Sequence, residues 1–322
     1  MRILANDGIT AKGKQMLEEA GYTVSTKQIE QQNLASVINE ENYEILLVRS
    51  ATKVRQDLID ECPGLKAIGR GGVGTDNIDV EYAESLGKYV FNTPESSSDS
   101  VAELVIGQMF AISRSLHVLN EKMPYESFNV LKKSYSNGVE LRGKTIGIVG
   151  FGRIGRSLAG YALGLGMNVL AVDIEERTTT VSVNVGGKTV EVEINVESDL
   201  EKVLPNCDFV SVHVPLQENG DSAITMNELS MLKYGAVIIN AARGNVIDEE
   251  DLLISLRIGT VSAAALDVFD NEPLPKASIL EHERIFCTPH VGAATQEAQL
   301  RIGQELAEKI IARYGVMSQL TQ

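Results

Sequence analysis

Three polar tracts in the second half of the sequence hold residues suited to proton and hydride chemistry: INAARGNVID with Arg243, DVFDNEP with Glu272 and TPHVG with His290. Moving a hydride from a secondary alcohol to a nicotinamide needs a base for the hydroxyl proton and a cation that holds a carboxylate and polarises the forming carbonyl. His290 suits the first task and Arg243 the second. Glu272 would accept a hydrogen bond from the imidazole, fix its tautomer and favour its protonated form, so that the pair works near neutral pH. Singly, each residue has a plainer reading: a surface charge in a Gly-flanked loop, a solvated Glu before Pro, and a structural His after Pro. Cys287 and His290 also make a C-x-x-H pair, but no further ligand or orienting partner accompanies it to form a metal or thiolate centre. Among the other histidines, His117 and His282 lie in helical or loop contexts, while His213 ends a strand before Pro215, where it would line a cofactor cleft.

The pattern G-x-G-x-x-G occurs twice, and context separates the copies. Gly150, Gly152 and Gly155 follow the apolar run KTIGIV and open the helical pattern RIGRSLAGYALGLG, after which MNVLAV leads to Asp173. These are the parts of a Rossmann dinucleotide site. Gly150 permits the tight turn, Gly152 lets the backbone approach a pyrophosphate, and Gly155 lets helix and sheet pack closely. The phosphates would then meet a helix N-terminus with its free N–H groups. Asp173 can accept both ribose hydroxyls of NAD and would repel the 2′-phosphate of NADP, a preference that nearby Arg177 could soften. The other copy, Gly69, Gly71 and Gly74 in GRGGVGTDNID, contains Arg70 and reaches Asn92 instead of an acid at the end of its next strand. It is a decoy for dinucleotides, though its turn can offer N–H groups to an anion beside Arg70. The alternative there is a tight turn that needs positive φ angles.

What must position these residues is an alternation of short apolar strands with helical patterns, the mark of parallel sheets covered by helices. Strands are expected at 2–5, 45–48, 67–68 and 89–92, and again at 145–149, 168–172, 209–213, 237–240, 263–266 and 285–288. This is an α/β protein of two doubly wound units. Arg243 and His290 fall just past strand ends, and Glu272 in the loop after the strand ending at Leu266, at the carboxyl edge where open α/β sheets bind ligands. The polar cluster SSSDS can cap a long connecting helix over 100–120. A C-terminal helix over 297–314 is too short to form a domain and should pack back on the first block. The segment TVSVNVGGKTVEVEI (180–194) breaks the rhythm, alternating about Gly186-Gly187 as a two-residue β-hairpin does, where the next helix would normally run.

Composition limits the partners. A chain of 322 residues, 43% hydrophobic, can build two cores. Its longest apolar runs, such as VIGQMFAI, fall short of the ~20 residues of a membrane span, and MRILANDG carries no signal pattern. Cys62, Cys207 and Cys287 fit neither a disulfide framework nor a metal site, which points to a reducing compartment, the cytoplasm. A net charge of -15 argues against nucleic acid and anionic membranes, so an anionic small-molecule substrate needs a local basic cluster.

Together GRIG, INAARG, DVFDNEP and TPH resemble the D-isomer-specific 2-hydroxyacid dehydrogenase family over nearly the whole chain. The resemblance implies Arg243, Glu272 and His290 as the catalytic set. It implies Arg153, Ile154, Asp173, Pro215, Ala241, Asp267 and Gly292 around an NAD dinucleotide. It further implies a discontinuous, flavodoxin-like substrate domain (1–98 and 293–322), a Rossmann-type nucleotide-binding domain inserted between its halves (99–292), and a homodimer formed through the latter. The hairpin, at about 178–196, is not part of that pattern and directly follows Asp173.

Within the family, LLVRSATKV, GRGGVGTDNID and NTPESSSDSVAEL are most similar to the phosphoglycerate dehydrogenases. That similarity implies oxidation of D-3-phosphoglycerate to 3-phosphohydroxypyruvate, the first step of serine synthesis. Arg49, followed by Ser50, and Arg70 each end an expected strand and could together bind a phosphate, which guanidinium forks suit. The N–H groups of Gly72 and Val73 could hold the substrate carboxylate. The chain stops soon after Tyr314, so no C-terminal regulatory domain, and no serine inhibition through one, is expected. Two alternatives stay open: a glyoxylate or hydroxypyruvate reductase with the same catalytic residues, and an NAD(H)-sensing, corepressor-like binding protein.

Overall fold

The computed structural model describes residues 1–217 and 219–317. Their contacts separate two compact units, Met1–Ser97 with the chain from Ala293 onward, and Ser98–Gly292. In the first unit β1 (Arg2–Ala5), α1 (Ala11–Glu19), β2 (Thr23–Ser25), α2 (Leu34–Glu40), β3 (Ile45–Val48), α3 (Gln56–Glu61), β4 (Ala67–Arg70), α4 (Val80–Ser85) and β5 (Tyr89–Asn92) alternate along the chain. All strands run parallel in the order β2-β1-β3-β4-β5, the flavodoxin-like winding. β3 reads ILLV with every residue buried, because a strand covered on both faces has no polar side to show. Edge strand β2 lies outside the sequence expectation, since three residues carry too little periodicity. β4 runs two residues further than expected and takes in Arg70.

The C-terminal helix spans Gln296–Tyr314, capped by Thr295 Oγ1 on the Ala298 amide, and belongs to this unit. Its Ile302, Leu306 and Ile310 share a core with Ile3, Ala5 and Leu17. It approaches α1 so closely that a Cβ on Gly13 would collide with the Gly303 carbonyl and one on Gly303 with Thr10 Oγ1.

The second unit opens with α5 (Ser98–Ser113), α6 (Leu116–Lys122) and α7 (Phe128–Ser134). The single helix expected over 100–120 is thus broken. Ser115 sits at φ 50°, in the left-handed region, and the freed Ser113 carbonyl accepts the Val139 amide at 2.9 Å. Apolar spacing is the same on both sides of such a break, so the pattern does not reveal it.

There follow β6 (Thr145–Val149), α8 (Arg153–Gly164), β7 (Asn168–Val172), β8 (Arg177–Val185), β9 (Lys188–Glu197), α9 (Leu200–Val203), β10 (Phe209–Val212), α10 (Met226–Met231), β11 (Ala236–Asn240), α11 (Glu249–Ile258), β12 (Val261–Leu266), α12 (Ala277–Leu280) and β13 (Ile285–Cys287). The sheet order is β13-β12-β11-β10-β6-β7-β9-β8, parallel except for edge strand β8. The hairpin is longer than the sequence pattern shows. Gly186 and Gly187, at φ 56° and 77°, supply the two positive angles of a tight two-residue turn. Its returning strand β9 pairs in parallel with β7 through Ala171↔Val196, so the hairpin delivers the next parallel strand without a covering helix. Gly160 of α8 gives β8 room: a Cβ there would stand 2.9 Å from the Ser182 carbonyl. No helix among the described residues is long and apolar enough to cross a membrane.

Because a Cβ on Gly303 would collide with Thr10 Oγ1, Gly303→Ala should destabilise the protein by about 1–3 kcal/mol through overpacking. Gly107→Ala in α5, where a Cβ meets no atom within 4 Å, should instead stabilise by up to about 1 kcal/mol. Thermal unfolding of both variants decides; equal midpoints would refute the close-contact account.

Candidate active site

The glycine-rich loop connects β6 to α8. Gly150 has φ 93°, and a Cβ there would come within 2.6 Å of the His213 carbonyl, so the turn and the end of β10 touch only because the side chain is missing. A Cβ on Gly155 would collide with the Gly150 carbonyl, which ties the helix to its strand. Gly152 is different: it is the N-cap of α8, no side chain caps the helix there, and the space over its Cα is open. Arg153 and Ile154 are the first helical residues. Uncapped N–H groups under open space suit a pyrophosphate.

Asp173 stands just past β7. Its Oδ2 accepts the Phe151 amide at 3.2 Å and Arg177 Nη2 at 2.7 Å, and its Oδ1 accepts the Ile174 amide at 2.9 Å. Burial opposes its ionisation, but the Arg177 guanidinium and these amides outweigh that and hold the carboxyl below its usual range. An anionic acceptor here fits the ribose hydroxyls of NAD. His213 follows β10, not within it as expected, and bonds Ser211 Oγ through Nε2 at 2.9 Å. Burial pushes its imidazole down to about 4, so it is neutral. Pro215 is exposed two residues on, and Ala241 is buried directly after β11.

Three loops at the carboxyl edge of this sheet carry the acid–base candidates. After β11, Asn240 shapes the first loop: its Nδ2 donates to the Arg243 carbonyl at 2.9 Å and its Oδ1 accepts the Ala242 amide at 3.0 Å. Arg243 Nη1 donates to the Ala242 carbonyl at 2.6 Å. Gly244 is required, since any Cβ would collide with the Phe269 carbonyl of the second loop. In that loop Glu272 Oε1 accepts the Phe269 amide at 3.1 Å. The third loop holds His290 at φ 53°, an angle that a non-glycine residue takes only when its surroundings impose it.

The imposing group is Asp267, 1% exposed. Its carbonyl accepts the His290 amide at 2.8 Å. Its carboxylate accepts Thr288 Oγ1 at 2.6 Å, the Val291 amide at 2.9 Å and the Gly292 amide at 2.8 Å. The result is a 2.8 Å bond from His290 Nδ1 to Glu272 Oε2, which engages Nδ1 and not Nε2. Burial again opposes ionisation of Glu272; the hydrogen bonds from His290 and Phe269 and the neighbouring His290 and Arg243 side chains prevail and keep it below the usual carboxylate range. Arg243, Glu272 and His290, scattered over the sequence, are therefore one electrostatic group. Cys287 is no part of it chemically, because burial pushes its thiol up to about 11.

In the first unit, Arg49 directly follows β3 and Arg70 ends β4, where Val48 pairs with Arg70. Asp7 Oδ2 fixes the Arg49 amide at 2.6 Å, and Asn77 Nδ2 takes the Arg49 carbonyl at 2.8 Å. A pocket of about 410 Å³ at this strand edge is lined by Asn6, Asp7, Gly8, Gln28, Arg49 and Ser50. The Arg70 guanidinium lies across the backbone of Gly72, where a Cβ would overlap it. The Gly72 amide donates to the Arg70 carbonyl at 3.0 Å, and the Val73 carbonyl accepts Asn92 Nδ2. Of the two amides expected to meet a carboxylate, Gly72's is thus already engaged within its own turn.

The family model described as "D-isomer specific 2-hydroxyacid dehydrogenase, NAD binding domain" matches residues 106–292. The chain belongs to this family. It is an NAD-dependent D-2-hydroxyacid dehydrogenase. A hydroxypyruvate reductase of Thermotoga maritima is 38% identical over 319 residues, 98% of this chain and 99% of the relative. A D-3-phosphoglycerate dehydrogenase of Methanocaldococcus jannaschii is 36% identical over 310 residues, 96% of this chain but only 57% of the relative's own length. Among solved structures, the NAD-bound 3-phosphoglycerate dehydrogenase of Entamoeba histolytica superposes with a TM-score of 0.75 at 27% identity, covering 100% of this chain and 99% of that one.

In this dehydrogenase, the residues that sequence reasoning did not assign are those that build loops: Asp7, Asn77, Asn240 and Gly244. Asn240 ends β11, Asp7 follows β1 closely and Gly244 sits beside Arg243, whereas Asn77, in the loop before α4, carries no such signal. Asp267→Asn should turn an amide NH₂ donor toward a group that itself donates, costing about 1–3 kcal/mol and lowering kcat through a displaced His290. Unchanged kcat would show that the carboxylate does not set that loop. The depressed Glu272 carboxyl makes a second prediction. Its stabilising contribution is complete above the ordinary value of 4.5 and is lost as pH falls through the lower folded value. The melting-temperature gap between wild type and Glu272→Gln should therefore narrow in acid.

Proposed function

We propose that this dehydrogenase oxidises D-3-phosphoglycerate to 3-phosphohydroxypyruvate with NAD, with the first unit as the substrate-binding domain. The observation that carries the substrate is the pair Arg49 and Arg70 at the ends of adjacent strands β3 and β4. Two guanidinium groups at one sheet edge of a chain with net charge -15 supply the local cation that a phosphate needs.

Arg243 holds the substrate carboxylate and polarises the C2 oxygen. His290 Nε2 takes the hydroxyl proton as the C2–O bond becomes a carbonyl, and Glu272 stabilises the resulting imidazolium. A nicotinamide held by the second unit would supply the acceptor for the C2 hydride. Gly150, Gly152, Arg153, Ile154, Gly155 and Asp173 hold the dinucleotide, with His213, Pro215, Ala241, Asp267 and Gly292 around it. Within the first unit, Ser50 and the Val73 amide are the further substrate-binding groups beside Arg49 and Arg70, the Gly72 amide being spent on the Arg70 carbonyl. The chain works as a homodimer through the second unit, where Tyr125, Phe128 and Val130 of the α6–α7 region are 87%, 65% and 55% exposed and suit a self-complementary apolar contact. A cytoplasmic place in serine synthesis accords with its three unpaired cysteines.

A second reading, reduction of hydroxypyruvate, is favoured by the Thermotoga maritima relative, whose match spans both proteins almost end to end. Nicotinamide absorbance with either substrate separates the two. Replacing Arg49 and Arg70 with Ala should lower kcat/KM for phosphoglycerate by about 10²- to 10⁴-fold, from two charged hydrogen bonds of about 1.5–3 kcal/mol each, and leave hydroxypyruvate reduction within a few-fold. Unimpaired phosphoglycerate turnover in that variant would remove the phosphate assignment. His290→Ala should abolish both activities by about 10²-fold or more.

A further inference from the structure

In α5 a polar side chain stands where the pattern calls for an apolar one. Val101, Val105 and Gln108 follow the i, i+4, i+7 spacing of a core-facing stripe. Val101 and Val105 lie in the core of the second unit, and Gln108 is 1% exposed. Its Oε1 is buried without a hydrogen-bond partner among the described residues, and its Nε2 donates to Thr288 Oγ1 at 3.2 Å. A buried amide that fills so little of its bonding capacity costs stability that Met or Leu would not. Helix packing alone therefore gives no reason for a Gln here.

The reason lies in its partner. Thr288 Oγ1 is the hydroxyl that donates to Asp267 Oδ1 at 2.6 Å. A hydroxyl has one proton, and an ionised carboxylate cannot return one, so the Thr288 proton is committed to Asp267 and the oxygen can only accept from α5. Gln108 supplies that donor and so holds the hydroxyl in the rotamer that serves Asp267. Earlier on the same helix, Ser100 Oγ donates to the Gly292 carbonyl at 2.6 Å. With these two contacts, ~12 Å apart along its axis, α5 grips both ends of the segment 288–292 that carries His290.

We infer that Gln108 is a positioning residue for the proton transfer: it orients the Thr288 hydroxyl toward Asp267, and through that carboxylate it sets the loop of His290. It makes no hydrogen bond to His290 or Glu272 and acts only through Thr288. The inference rests on His290 as the base and holds whichever 2-hydroxy acid is the substrate.

The test is Gln108→Met, which keeps the length of the side chain and removes the amide, with Thr288→Val and the double variant beside it. Gln108→Met should lower kcat by about 3- to 10-fold, the worth of one neutral hydrogen bond, and leave KM for NAD within about twofold. The same variant should raise the melting temperature by about 2 °C or more, because a desolvated amide leaves the core. Opposite signs for activity and stability separate positioning from mere support, which would move both downward. In the Thr288→Val background, already slow, Gln108→Met should change kcat by less than about twofold, as expected of one residue acting through the other. The ring signals of the four histidines, followed by NMR, give a readout without turnover: that of His290 should shift in Gln108→Met and that of His213 should not. An unchanged kcat, a lower melting temperature, an unmoved His290 signal or an undiminished effect on top of Thr288→Val would each overturn the inference. Full activity in His290→Ala would instead overturn the assignment of the base.

Discussion

The carboxylate of Asp267 accepts three hydrogen bonds from a single short loop, and its own backbone carbonyl accepts a fourth. A buried charge is tolerable only when its lone pairs are filled, and here the donors that fill them are the residues flanking His290. The same requirement that keeps Asp267 in the core therefore decides where the imidazole goes. His290 is held in a left-handed conformation that its chemistry alone would not favour. Remove the carboxylate and the loop has neither a reason to bend nor partners for its amides.

A similar economy operates at the other loops of this edge. Asn240 closes a turn with both ends of its amide, and that turn presents Arg243. Gly244 then allows the arginine loop to lie against the loop of Glu272 without a side chain between them. In the first unit Asp7 and Asn77 do for Arg49 what Asn240 does for Arg243. The residues with reactive groups are supported throughout by short amides and carboxylates bonded to backbone, which move less than long charged chains.

How much of this was readable in the sequence varies with the range of the interaction. Strands such as Ile45–Val48, Thr145–Val149 and Asn168–Val172 form where apolar runs announce them, because burial on both faces leaves no other pattern. The glycines at 150, 152 and 155 were legible for the same reason: each answers a local steric demand. The break at Ser115 was not, since the Val139 amide that stabilises it arrives from a distant part of the chain. Nor was the clamp made by Asp267, whose partners at 288, 291 and 292 become neighbours only when β12 and β13 pair. The engagement of the Gly72 amide within its turn was likewise invisible, being a matter of one backbone angle.

The close packing of α1 on the C-terminal helix bears on the order in which the molecule can be made. A ribosome releases Gly13, Leu17 and the strands of the first sheet long before it releases Ile302, Leu306 and Ile310, which share one core with them. Every residue of the second unit is synthesised in the interval. The first unit thus waits with an apolar face uncovered while the second completes its own core, and vectorial synthesis, which normally favours the N-terminal domain, here favours the inserted one.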